Sequence, residues 1–133
     1  MAKQYIEIGG DKTIVVNVDD SAGANEDLSA YEGYIVRLYY KQDGTVIQTY
    51  SKNAVSGFNS TDISTTDEAN GNITIYLKRE LTEAGLGDWD VYAQVLVQET
   101  DSNYASSQYR DLAPSKYAFT FRNSSIETTT DIS

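Results

Sequence analysis

Residues 70–98 constrain the fold more than any other stretch of this chain. They read Asn-Gly-Asn-Ile-Thr-Ile-Tyr-Leu, then Lys-Arg-Glu-Leu-Thr-Glu-Ala-Gly-Leu-Gly, then Asp-Trp-Asp-Val-Tyr-Ala-Gln-Val-Leu-Val-Gln. In the first segment Ile73, Ile75 and Leu77 point one way, and Thr74 and Tyr76 the other. In the last, Trp89, Val91, Ala93, Val95 and Val97 share a face, opposite Asp90, Tyr92, Gln94 and Gln98. Alternation over this length is the signature of half-buried β-strands. Trp89, the chain's only tryptophan, lies on the apolar face and is expected at the centre of the core. The connection is too long for a tight hairpin. Glu80, Leu81, Glu83 and Ala84 favour a helical turn there, and Gly85 and Gly87 end it.

At 133 residues the chain is long enough for one domain with a real core. Eleven tyrosines and a single proline, with many Thr and Val, favour sheet over helix. Ten basic against twenty acidic residues give a net charge of -10. Such a chain is repelled by phosphate backbones and by anionic membranes, so neither nucleic acid nor membrane is an expected partner. The absence of cysteine excludes disulfides, thiolate metal sites and cysteine nucleophiles. Residues 1–6 contain no apolar stretch of signal or membrane length, so synthesis and folding in a cytoplasm are expected.

The remaining strands follow from the same pattern. Residues 5–8 predict a short edge strand, and residues 12–18 a strand with Ile14, Val16 and Val18 inward and Val15 outward. Residues 19–27 are a polar loop, and Leu28 is expected to plug the end of the core. Residues 34–41 predict a strand with Val36, Leu38 and Tyr40 inward and Arg37, Tyr39 and Lys41 outward. Asp43-Gly44 turns it into a partner strand over residues 45–50. Residues 51–59 are irregular, anchored by Phe58, and a short strand is expected around Ile63. Residues 104–110 and 116–122 complete the set, the last with Tyr117, Phe119 and Phe121 on one face. The expected fold is an all-β, immunoglobulin-like antiparallel β-sandwich of seven to nine strands over residues 1–123. Residues 124–133 form a polar C-terminal tail, expected to be flexible or to order only against a neighbour.

The order Lys12-Thr-Ile-Val-Val-Asn-Val, Asp27-Leu-Ser, Tyr34-Ile-Val-Arg-Leu-Tyr-Tyr-Lys, Gln-Asp-Gly-Thr45, Gly-Asn-Ile-Thr-Ile75, Leu-Thr82 and Gly-Asp-Trp-Asp-Val-Tyr92 carries a resemblance. It resembles the immunoglobulin-like domain at the N-terminus of phage baseplate upper proteins, and related small phage virion proteins. The likeness covers roughly residues 6–122 and consists of loose patterns. It implies a structural, non-enzymatic part of a virion that docks on a larger assembly in many copies. The sequence departs from those relatives in carrying no receptor-binding domain after the sandwich. The implied role is therefore head decoration, a collar or tail accessory, or a baseplate adaptor.

Among candidate sites, Asp19, Asp20, Glu26 and Asp27 could offer oxygen ligands to calcium, but they lack the spacing of an EF-hand loop, and a solvated acidic loop is the expectation. Asp88 and Asp90, two apart on a strand, share a face, which is not the opposed geometry of a glycosidase pair. With no histidine as a base and no Gly-rich phosphate loop, no enzyme activity, cofactor or metal is expected. Outward Tyr39, Tyr76 and Tyr92 would form an aromatic row if their strands share a sheet. Such a row suits a protein partner, or a glycan if the chain is instead a carbohydrate-binding module. Ile126 and Ile132 could place the tail on a neighbour's sheet edge.

Overall fold

The computed structural model describes residues 4–19, 23–83, 85, 87–98, 103, 108–112 and 115–122. Among them are nine strands: β1 (Tyr5–Glu7), β2 (Lys12–Asn17), β3 (Tyr34–Tyr40), β4 (Val46–Ser51), β5 (Ile63–Ser64), β6 (Asn72–Leu77), β7 (Asp90–Gln98), β8 (Tyr109–Asp111) and β9 (Lys116–Arg122). The one α-helix among the described residues is a single turn, α1 (Arg79–Thr82), and two 3-10 turns lie at Leu28–Ala30 and Glu68–Asn70.

The strands form two sheets. The larger has the order β1-β9-β7-β3-β4, with β8 also pairing β7; the smaller is β2-β6-β5. All pairings are antiparallel except β1 with β9. With β2, β6 and β5 standing as strands B, E and D, and β9, β7, β3 and β4 as G, F, C and C′, this is the order of the immunoglobulin sandwich. β8 and β9 occupy the same side of β7 in succession, β9 beside Asp90–Ala93 and β8 beside Leu96–Gln98. They act as two successive pieces along one side of β7. The strand expected over residues 104–110 is thus Tyr109–Asp111 where it is described, and residues 104–107 lie outside the described set.

The core lies between the sheets. Ile14, Val16, Ile73, Ile75 and Leu77 come from the smaller sheet, and Val36, Leu38, Val91, Val95, Val97, Phe119 and Phe121 from the larger; all are buried. Tyr34, Tyr50, Phe119 and Phe121 are its largest fully buried side chains, and Leu28 closes one end. Trp89 is not the centre that the alternation implied. It is half-buried at the margin of the core, edge-on to Tyr40 with ring centroids 5.1 Å apart. β7 starts one residue later, at Asp90; Trp89 and Asp88 still bond Phe121 through their backbones, at 3.1 and 2.7 Å, and the φ of 66° at Asp88 ends the extended run there.

The connection between β6 and β7 carries the chain from one sheet to the other, with its helical turn where the sequence placed it. The backbone N–H of Arg79 donates to Asp11 Oδ1 at 2.7 Å, and buried Thr82 donates from Oγ1 to the Gly10 carbonyl at 2.7 Å. α1 is therefore fastened to the β1–β2 turn. At the other end of the molecule Gly71 ends the second 3-10 turn with φ 76°. A Cβ there would lie 2.5 Å from the Val18 carbonyl oxygen. Nearby, the side-chain amides of Asn70 and Asn72 donate to Asp67 and hold its carboxyl below the usual range.

Two stability measurements follow. Gly71→Ala combines a left-handed φ, costing roughly 1–3 kcal/mol, with a backbone clash. Its melting temperature is expected to fall by at least about 5 °C; a fall of a degree or less would refute the close approach. Phe121→Ala should cost about 3–5 kcal/mol in urea unfolding, and half-buried Trp89→Ala only about 1–2 kcal/mol. The reverse order would restore Trp89 to the centre of the core.

Candidate functional site

The outward face of the larger sheet carries the most organised surface chemistry. The β3–β7 register sets Tyr39 opposite Tyr92, with ring centroids 6.3 Å apart and the rings tilted by 48°. The β7–β9 register then shifts between Val91 and Tyr92: Val91 faces Phe119, but Tyr92 faces Tyr117, leaving Ala118 as the extra residue of a bulge. The shift turns Tyr117 out of the face it was expected to share with Phe119 and Phe121. It meets Tyr92 edge-on, 6.0 Å away at 83°. The result is a row of three rings drawn from three strands.

Polar groups fix both flanks of the row. The Tyr117 hydroxyl lies 2.6 Å from Thr120 Oγ1, which donates to Asp90 Oδ1 at 2.7 Å, and the Gln4 backbone N–H donates to the same hydroxyl at 3.0 Å. Lys41 Nζ stands 5.3 Å over the Tyr92 ring. One step along the strands, Arg37 donates to Gln94 Oε1 at 3.3 Å and Gln94 donates to Asp111 Oδ1 at 2.6 Å. An aromatic row thus runs beside a polar one on the same sheet face, each held by cross-strand contacts.

Tyr76 is not part of this row. It lies on β6 in the smaller sheet, opposite Thr13, and is 39% exposed on the far side of the sandwich. Ile126 and Ile132 lie outside the described residues. Tyr117, which completes the row, was hidden in the sequence. Tyr-Ala-Phe-Thr-Phe alternates cleanly, and only the pairing partner reveals the bulge.

The acidic groups singled out earlier are engaged locally. Asp27 caps the first 3-10 turn by accepting from the Ser29 N–H at 3.0 Å, Glu26 accepts from the Tyr31 hydroxyl at 3.4 Å, and Asp19 pairs with Lys116 at 3.6 Å. Asp20 lies outside the described residues. Asp88 sits in the turn before β7, so it does not share a strand face with Asp90 as the spacing suggested. Among the described residues no group of three or more Asp, Glu, His or Cys is placed to hold a metal ion.

A second polar cluster closes one end of the sandwich. Lys52 Nζ pairs with Glu68 at 3.2 Å, donates to the Tyr31 carbonyl at 3.3 Å and stands 5.3 Å over the Tyr34 ring. The Tyr34 hydroxyl donates to Glu68 Oε1 at 2.8 Å. Burial, then the hydrogen bond and charge of Glu68, push the Tyr34 phenol far above its ordinary range. Burial, with the nearby Asp62 charge, does the same for Tyr50. Burial also raises Tyr31, with the charge of Glu26 adding to it. Folded-state values raised in this way give stability that is fully present below the unfolded tyrosine value of about 10 and is lost as pH climbs beyond it. An alkaline titration followed by phenolate absorbance and by circular dichroism should show incomplete ionisation until the fold is lost. Complete ionisation with the fold intact would contradict the burial of Tyr34 and Tyr50.

Set against known proteins, the chain matches no protein-family model, no curated protein and no solved structure.

Proposed function

We propose that this chain is a non-enzymatic structural component of a phage particle, which docks on a larger assembly through the tyrosine face of its larger sheet. The virion role follows from the resemblance of its strand motifs to the immunoglobulin-like domain of phage baseplate upper proteins. The docking face is read from one observation: Tyr39, Tyr92 and Tyr117 form an interlocked row of half-buried rings beside Arg37 on the outward face of the larger sheet. Tyrosine and arginine are enriched at the energetic centres of protein interfaces, tyrosine because it brings large area with few free rotors and arginine because its planar fork makes several hydrogen bonds. Here the rings are already held by one another and by the sheet, so little ordering cost remains on docking.

The same geometry weighs against the alternative of a carbohydrate-binding platform. Stacking sugars along a row needs ring faces presented together. These rings are tilted by 48° and 83° to their neighbours, and Lys41 lies over one face of Tyr92. Tyr76, the third tyrosine that a longer platform would need, belongs to the opposite sheet.

The test is incorporation into particles. Tyr39→Ser/Tyr92→Ser should cut the number of copies per particle at least tenfold while the isolated domain still melts cooperatively. Tyr76→Lys, on the other sheet, should leave incorporation unchanged. Normal incorporation of the double variant would remove this face from the interface. Specific binding on a glycan array that the double variant loses would favour the carbohydrate-binding module.

A further inference from the structure

The smaller sheet ends at β2, and among the described residues β2 pairs only with β6. The Val18 N–H donates to the Gly71 carbonyl at 2.8 Å. By the alternation of an antiparallel ladder, Ile14 and Val16 then face β6, and the backbone groups of Thr13, Val15 and Asn17 face outward. Lys116 Nζ takes the Asn17 carbonyl at 2.9 Å. The outward N–H and C=O groups of Thr13 and Val15 have no partner among the described residues. Val15 is 60% exposed. Edges of this kind template the addition of another strand unless they are blunted. In Lys-Thr-Ile-Val-Val-Asn only Lys12, at the first position, does so, and residues 13–17 carry no charge, proline or bulge.

A groove of about 320 Å³ runs beside this edge, lined by Ile14, Val16, Ala93, Lys116, Tyr117 and Ala118 among others. In the immunoglobulin order this is the side on which strand A pairs with strand B. Here the strand that precedes β2 is β1, and it pairs with β9 in the other sheet. Among the described residues the edge and its groove are therefore open together.

One stretch of the sequence outside the described residues has the pattern to fill them. Residues 126–132 read Ile-Glu-Thr-Thr-Thr-Asp-Ile. Ile126, Thr128, Thr130 and Ile132 fall on one side, and Glu127, Thr129 and Asp131 on the other. β-branched residues dominate the run, as in strands. Extended, it spans roughly 23 Å against roughly 20 Å for β2. It also begins in the right place. The Arg122 carbonyl, at the end of β9, accepts from the Ile8 N–H at 3.0 Å, close to where the chain turns into β2. The four steps from residue 122 to 126 reach up to about 14 Å, enough to cross the roughly 10 Å between packed sheets. A strand that entered the edge from that corner would run in the same direction as β2. Lys12 and Lys116 flank the edge at its two ends, complementary to Glu127 and Asp131.

We propose that residues 126–132 add to β2 of the same molecule as a parallel fourth strand of the smaller sheet, with Ile126 and Ile132 turned into the groove. The tyrosine face lies on the other sheet, and of its rings only Tyr117 also borders the groove, so this strand addition does not rest on the docking role. Amide hydrogen exchange by NMR on the full chain tests it. In Ile126→Asp/Ile132→Asp the Thr13 and Val15 amides should exchange at least tenfold faster than in the parent, while those of Val36 and Val95 in the β3–β7 ladder keep their rates. The milder Ile126→Ser/Ile132→Ser should produce the same local change and guards against general unfolding in the charged variant. Equal exchange at Thr13 and Val15 in parent and variants overturns the proposal. Protection that rises with protein concentration and accompanies a dimer mass overturns it too, by giving the edge to the segment of a second copy.

Discussion

Seven consecutive residue pairs between β3 and β7, from Tyr34 with Val97 to Tyr40 with Val91, set both faces of the larger sheet. On the inner side they place Tyr34, Val36, Leu38 and Tyr40 against Val91, Ala93, Val95 and Val97, all buried. On the outer side they place Arg37 against Gln94 and Tyr39 against Tyr92. Because side chains alternate with a period of two, a slip of one residue would exchange the two sets. It would carry Arg37 into the core, where an unpaired charge costs several kcal/mol. Core and tyrosine face are two readings of one register, and the core enforces both.

Alternation in the sequence tells which residues share a strand face, and the structure agrees for β2, β3, β6 and β7. It does not tell which sheet a strand joins. β6 and β7 are neighbours in the chain with the same outward tyrosine pattern, yet α1 carries the chain across the sandwich, so Tyr76 and Tyr92 end on opposite surfaces. The length of that connection is compatible with either outcome. Trp89 shows a different limit. It continues the inward parity of β7, but parity says nothing about where the ladder stops. The indole lies just before the start of β7, at the margin of the core, and is only partly covered. Asp19 and Asp27, legible only as loop acids, prove to be tied to Lys116 and to the Ser29 N–H.

In a chain with a net charge of -10, the positions of the few cations matter. Lys52 joins the start of β3 to Glu68 and the Tyr31 carbonyl, with both side chains of the pair about one-fifth exposed. Lys78 with Asp62, and Arg122 with Glu7, are more open to water. Exposed pairs of that kind contribute about 0–1 kcal/mol each. The shielded Lys52–Glu68 pair contributes more by geometry than by number, since it also satisfies a phenol and a backbone carbonyl at the end of the core. The acidic excess is left on the surface, where it disfavours polyanions and limits unspecific self-association.

The bulge at Ala118 connects the two halves of this picture. Without it, Tyr92 would oppose Ala118, and Ala93 would oppose Tyr117, so that a phenol would point between the sheets. With it, Tyr117 turns outward to complete the aromatic row and Lys116 takes the inward position opposite Ala93. From there Lys116 reaches across to the Asn17 carbonyl at 2.9 Å and to Asp19 at 3.6 Å. One extra residue in β9 thus supplies the third ring of the outer face and a cation that ties the sheets together at the end of β2. An inward-pointing lysine is also a recognised way to blunt a sheet edge. At this edge it protects the Asn17 end only, and the outward backbone groups of Thr13 and Val15 have no partner among the described residues.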